Sequence, residues 1–222
     1  MTFTWMLVKK NIKLAFVGTI LLLLLAGCGS RIDWFGTNTQ EAQQTTMVTE
    51  HIKVDDEVID KGNPFKVIEP VWWTADIYDG EAQYDTSLAG FSREQRLLFA
   101  VRWYVAEVNN GGHDQFYFNS TGIVWKDALA GLREMGVGEV AEILAESAKR
   151  LGGNPSLNRK TRWKQLDTLD PNFDDLDTRF YDLENEVDLD AVMSDYIMKH
   201  RSSFYYEGDV EKPKLPDLSP ED

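Results

Sequence analysis

At 222 residues, the chain has room for one domain or two small ones. Its 23 Lys+Arg against 37 Asp+Glu give a formal charge of −14, too acidic for a nucleic-acid binder without a basic patch; the one basic stretch, Arg159-Lys-Thr-Arg-Trp-Lys164, shares its helix with apolar residues and reads as a solvated face. A single cysteine, Cys28, excludes an internal disulfide, so a folded domain must rely on its core.

Residues 1–27 are set apart from the fold. Lys9, Lys10 and Lys13 precede an apolar run of 13 residues from Leu14 to Ala26. That run suits the apolar core of a signal peptide and falls short of the roughly 20 residues that span a bilayer. Leu25-Ala26-Gly27-Cys28 resembles the lipobox of bacterial lipoproteins. The resemblance implies cleavage before Cys28 and acylation, including palmitate, of its sulfur. The chain is then held to a membrane on its extracytoplasmic side. Losing residues 1–27 removes three lysines and no acid, which takes the charge to −17.

Residues 28–63 are polar, as in Thr37-Asn-Thr-Gln-Glu-Ala-Gln-Gln-Thr-Thr46, and read as a tether. Val48, Ile52 and Val54 leave room for a short strand or helix. From Pro64 to Asp85, Val71-Trp-Trp73, Ile77, Tyr78 and Tyr84 are too apolar for a tether. The stretch 64–85 is expected to lie on the following domain as an irregular or short-helical arm, with Trp72 and Trp73 in the core rather than at a membrane interface.

Ser92 with Gln95 forms a capping box, followed at helical spacing by Leu97, Leu98, Val101, Tyr104, Val105 and Val108. Asn109, Asn110, Gly111 and Gly112 tolerate positive φ and are expected to end this helix. The consecutive rings of Phe116, Tyr117 and Phe118 must then fold back on the helices, since each buries on the order of 150–250 Å². Asn109, Asn110, Gly111, Gly112, His113, Gln115 and Asn119 form a candidate binding loop. The alternative is structural, with Gln115 and Asn119 tying down the backbone of a buried turn.

Glu107-Val-Asn-Asn-Gly-Gly-His-Asp-Gln-Phe-Tyr-Phe-Asn-Ser-Thr-Gly122 resembles the central motif of the bacterial DNA-mimic protein family. Weaker likeness continues through Ala128-Leu-Ala-Gly-Leu-Arg-Glu-Met-Gly136 and Tyr196-Ile-Met-Lys-His200 to about Glu207. The resemblance implies a helical domain over 64–207 that acts by binding a protein through an acidic face imitating DNA phosphates.

Periodicity and caps predict further helices. Ser120 or Thr121 caps one that runs to Met135, and another covers Gly138–Leu151. A shorter one spans Arg159–Leu169, Asp170-Pro171 opens the next, and Asp188 caps the last. No strand alternation is evident, so the fold expected is all-α with about six helices. Residues 208–222 read as a disordered tail. Phe116, Trp103, Trp125 and Trp163 are expected to be largely buried.

Between Gln165 and Tyr196 there are eleven acids against Arg179 alone. Asp174, Asp175, Asp182 and Glu186 represent the candidate acidic face; the alternative is a merely solubilising surface. Catalytic signals are few. His113 with His200 and Asp114 would be needed for a hydrolase or a metal site, and the spacing matches no known metal motif. No catalytic residue, metal or cofactor is assigned. The function expected is non-catalytic protein binding by a membrane-anchored lipoprotein. An immunity-type protein that neutralises a toxin at the envelope is the second reading, and an enzyme using His113 the third.

Overall fold

The computed structural model describes residues 46–214. Met47–Pro213 form one compact unit; a second, made of Met1–Thr46 with Lys214–Asp222, falls almost wholly outside the described residues. The leader and Cys28 therefore lie outside them.

Nine α-helices are present among the described residues. They are α1 (Asp56–Asp60), α2 (Pro64–Thr74), α3 (Glu81–Leu88), α4 (Arg93–Phe118), α5 (Trp125–Glu134), α6 (Gly138–Arg150), α7 (Arg159–Leu169), α8 (Asp174–Glu186) and α9 (Leu189–Lys199). Short 3-10 turns cover Ser120–Val124 and Arg201–Phe204.

The expectation of an all-α fold with about six helices needs two corrections: α1 to α3 precede the six helices read from the sequence, and a small sheet is present. Strand β1 (Met47–Val54) pairs antiparallel with β2 (Tyr206–Pro213), Met47 opposite Pro213 and Val54 opposite Tyr206. β1 and α1 thus occupy part of the stretch read as a tether, and β2 part of the stretch read as a tail. Ile52, Val54 and Val210 are buried, and the remaining positions are mostly charged or polar. Lys212 of β2 reaches Glu50 at 2.6 Å and the buried Glu69 of α2 at 3.0 Å, which fixes the ribbon to the helices. Burial would raise the Glu69 carboxyl, but hydrogen bonds from Lys66 and Lys212 more than offset it and hold it below its ordinary value.

Local chemistry explains most helix starts. Asp55 accepts from the backbone N–H groups of Glu57 and Val58, Asn63 from Phe65 and Lys66, and Asp188 from Ala191. Ser92 and Gln95 form the reciprocal capping box the spacing predicts. One start differs. Asp170 does not cap α8; it closes α7 in the left-handed region (φ 42°, ψ 54°), and α8 begins at Asp174.

Helix α4 is the axis of the core. Leu97, Leu98, Val101, Tyr104 and Val108 are buried along it. The arm 64–88 lies against it as α2 and α3, with Trp72 stacked on Trp103 at 4.4 Å between ring centres. α6 buries Val140, Ile143, Leu144 and Ala148, followed by Leu151 just past its end, as their spacing predicts. Phe116, Trp103 and Trp125 are buried, but Trp163 is 36 % exposed, contrary to expectation. Its indole N–H instead donates to the Phe118 carbonyl at 2.6 Å, which holds the ring on the surface.

Candidate functional site

Asn109–Gly112 does interrupt α4, but over two residues rather than a whole loop. Gly111 (φ −166°, ψ 28°) and Gly112 (φ 72°, ψ −174°) leave helical geometry, and the helix then resumes to Phe118. The break turns the helical face so that His113, Phe116 and Tyr117 are buried and Phe118 is exposed. A Cβ on Gly111 would meet the flexible Gln115 side chain; one on Gly112 would fall on the Asp177 carboxylate, in a conformation L-residues rarely adopt. Gly112→Ala is therefore expected to cost about 2–3 kcal/mol, and Gly111→Ala about 1 or less, in urea unfolding followed by circular dichroism.

His113 is wholly buried. Its backbone N–H donates to Asp177 Oδ1 at 3.0 Å, and its Nδ1 lies 2.5 Å from the same oxygen. A proton on Nδ1 serves that carboxylate and leaves Nε2 to accept from the Tyr104 hydroxyl 3.0 Å away. Burial, then the nearby Tyr117 and Asp177, push that hydroxyl well above its ordinary value, so it stays a donor. Asp177 comes from the acidic run, so α8 is fastened to the break in α4 by one of its own carboxylates. Tyr181 of α8 adds a hydrogen bond to the Val108 carbonyl at 2.8 Å, and Asn109 donates to Glu184 at 2.7 Å. The candidate loop and the candidate acidic helix are thus one continuous region. Asp114 extends it: though its residue is exposed, local desolvation, with Asp177, Asp174 and Asp170 nearby, raises its carboxyl.

The motif amides serve a group the sequence reading passed over. Glu107 is 3 % exposed and accepts from Gln115 (2.7 Å), Asn119 (2.9 Å) and Thr121 (2.8 Å). Gln115 and Asn119 thus satisfy a buried carboxylate rather than the turn backbone. On the other side of the turn, the wholly buried Arg162 of α7 donates to the carbonyls of Tyr117 (2.7 Å), Asn119 (2.6 Å) and Ser156 (2.6 Å). Burial, with Arg159 nearby, pulls its guanidinium down to about 10. A signal for Glu107 was available, because it falls between Tyr104 and Val108 on the buried stripe of α4. Asn110 is exposed.

The acidic run divides by role. Asp175 forms a two-pronged pair with Arg150 of α6, whose hydrogen bond holds its carboxyl down at about 2. Asp190 pairs with Arg102 at 2.8 Å. Asp174, Asp182, Glu186 and Asp195 are exposed, and no Lys or Arg among the described residues pairs with them.

The enzyme reading required His113 and His200 to meet. His113 lies among Tyr104, Phe173 and Phe180, whereas His200 lies against Tyr196 with ring centres 4.6 Å apart. His51, in β1, bonds to Asp209 at 2.7 Å. Among the described residues, no three His, Cys, Asp or Glu side chains are grouped to hold a metal ion.

A family model described as DMP19-like protein matches residues 89–200, just over half of the chain. The chain belongs to the DMP19-like protein family. No curated protein and no solved structure matches it. The match to the DMP19-like family is narrower than the 64–207 read from the sequence. It runs from the approach to α4 through α9, and so holds the glycine break, the Glu107 cluster and the acidic surface, but none of β1, α1, α2, α3 and β2.

Proposed function

We propose that the chain is a lipid-anchored, extracytoplasmic binding protein that engages a basic protein surface, without catalysis, through α8 and α9. The observation that supports this is the set of exposed carboxylates of Asp174, Asp182, Glu186 and Asp195, none of which pairs with a cation among the described residues. They ride on helices whose other faces are fixed by Leu176, Phe180, Leu189, Met193 and Tyr196 in the core. Unpaired charges held on a rigid frame need not be reorganised on binding, which favours recognition and fast association. Membership of the DMP19-like family, the DNA-mimic family that the Glu107–Gly122 motif resembles, supports a protein partner, since a DNA mimic competes for proteins that bind DNA. The lipobox-like Leu25-Ala26-Gly27-Cys28 supports a partner outside the cytoplasm.

Capture from envelope extracts tests the binding reading. Partner recovery is expected to be strong at low ionic strength and to fall steeply as salt rises, because screening shortens the reach of exposed charges to about 8 Å at 0.15 M. Salt-independent recovery would count against it. The anchor is tested separately: labelled palmitate should be incorporated into the expressed protein and lost in Cys28→Ser, and equal labelling of both would remove it.

A further inference from the structure

Residues 147–166 contain no acid but six cations, in a chain with a formal charge of −14. Lys149 and Arg150 pair with Glu146, and Arg162 is buried on backbone carbonyls. Arg159, Lys160 and Lys164 are different. No carboxylate among the described residues pairs with them, although acids outnumber bases overall.

They share one face of α7 with aromatic rings. Arg159 and Trp163 are one turn apart, and Lys160 and Lys164 form the neighbouring stripe. The Arg159 guanidinium lies 4.7 Å from the Trp163 ring centre and 5.8 Å from that of Phe118, and the two rings stack at 5.1 Å. Arg159 also donates to the Phe118 carbonyl at 3.0 Å. Trp163 is 36 % exposed and Phe118 is 53 % exposed, so these rings are ordered at the surface without being covered. Tyr78, also 53 % exposed, lies within electrostatic reach of Arg159. Asp167 is the one acid in α7.

We propose that this face of α7, with Phe118, docks on an anionic lipid surface. Surface aromatic rings beside unpaired cations are a composition that settles at a bilayer interface, the rings near headgroup level and the cations against lipid phosphates. The net negative charge does not forbid it, since repulsion is screened beyond about 8 Å at 0.15 M ionic strength while the three cations are at contact. The inference goes beyond the binding role proposed for α8 and α9 and needs only that the N-terminal segment be held at the bilayer. The 18 residues between Cys28 and β1 then span at most about 60 Å, which brings the α7 face within reach of the lipid at high local concentration.

The test is lysine acetylation of the full chain in vesicles. The acylated chain is used and its palmitate label is counted on the same sample, so a failure of the anchor is read separately from a failure of the α7 face. Relative to the exposed Lys199, modification of Lys160 and Lys164 should fall at least about threefold in phosphatidylglycerol vesicles compared with phosphatidylcholine vesicles. High salt and the surface variant Trp163→Ala, with its circular dichroism unchanged, should each restore it. Equal modification in both lipids would overturn the proposal. So would equal protection in both, or protection by polyglutamate without anionic lipid, which would assign the face to an acidic protein.

Discussion

Phe116→Ala is expected to destabilise the domain by about 3–5 kcal/mol, and Phe118→Ala by about 1 kcal/mol or less. The two residues are a half-turn apart on the same resumed helix. Phe116 is wholly buried and meets Tyr104 edge-on at 5.2 Å and Tyr117 at 5.0 Å, so truncation leaves a cavity lined by rings that cannot close over it. Phe118 is half exposed and touches mainly Trp163 and Arg159, which can relax into water. Urea unfolding of the two variants measures the difference directly. Similar losses would mean that the break at Gly111–Gly112 does not set the helical face as described.

Glu107→Ala is expected to cost about 3 kcal/mol or more, and Glu107→Gln about 1–2 kcal/mol. The alanine removes the acceptor of three side-chain donors beneath the turn, and Thr121, itself buried, has no ready access to water. The glutamine keeps one acceptor oxygen but turns an N–H₂ group towards donors, so part of the network must rotate away. Thermal and urea unfolding should rank wild type above Glu107→Gln and Glu107→Gln above Glu107→Ala. An alanine variant as stable as wild type would show that the motif amides do not depend on this carboxylate.

Helices α4, α6 and α9 were legible in the sequence because their signals are local: a capping box at Ser92, an apolar stripe from Val140 to Leu151, an aspartate at 188. The ribbon was not, because β1 and β2 lie about 150 residues apart and only Ile52, Val54 and Val210 carry its buried face. Helical pattern near Asp170-Pro171 suggested a cap, but the left-handed turn at Asp170 delays α8 to Asp174. The glycine break was visible, but not that helix would resume beyond it, since burying His113 and Phe116 depends on α8 lying across the break.

The acidic run was equally legible, but not its division. Asp177 looks like its neighbours in sequence, and only the fold turns it towards His113. Asp175 and Asp190 are balanced by Arg150 and Arg102, arginines outside the run on other helices. The acidic surface left without a cation partner among the described residues is thus smaller than the eleven acids suggest. It is also better defined, because Asp174, Asp182, Glu186 and Asp195 stand on helices held from beneath by Leu176, Phe180, Leu189, Met193 and Tyr196.

The most direct test of the binding account replaces Asp174, Asp182 and Glu186 by their amides while leaving Asp175 with Arg150 and Asp177 with His113. The variant loses three exposed charges and no buried contact, so its circular dichroism and thermal unfolding should match wild type. Partner capture at low salt should fall at least about tenfold, with most of the loss in the association rate. Undiminished capture by a normally folded variant would contradict the account and show the acidic surface to be only a solubilising one.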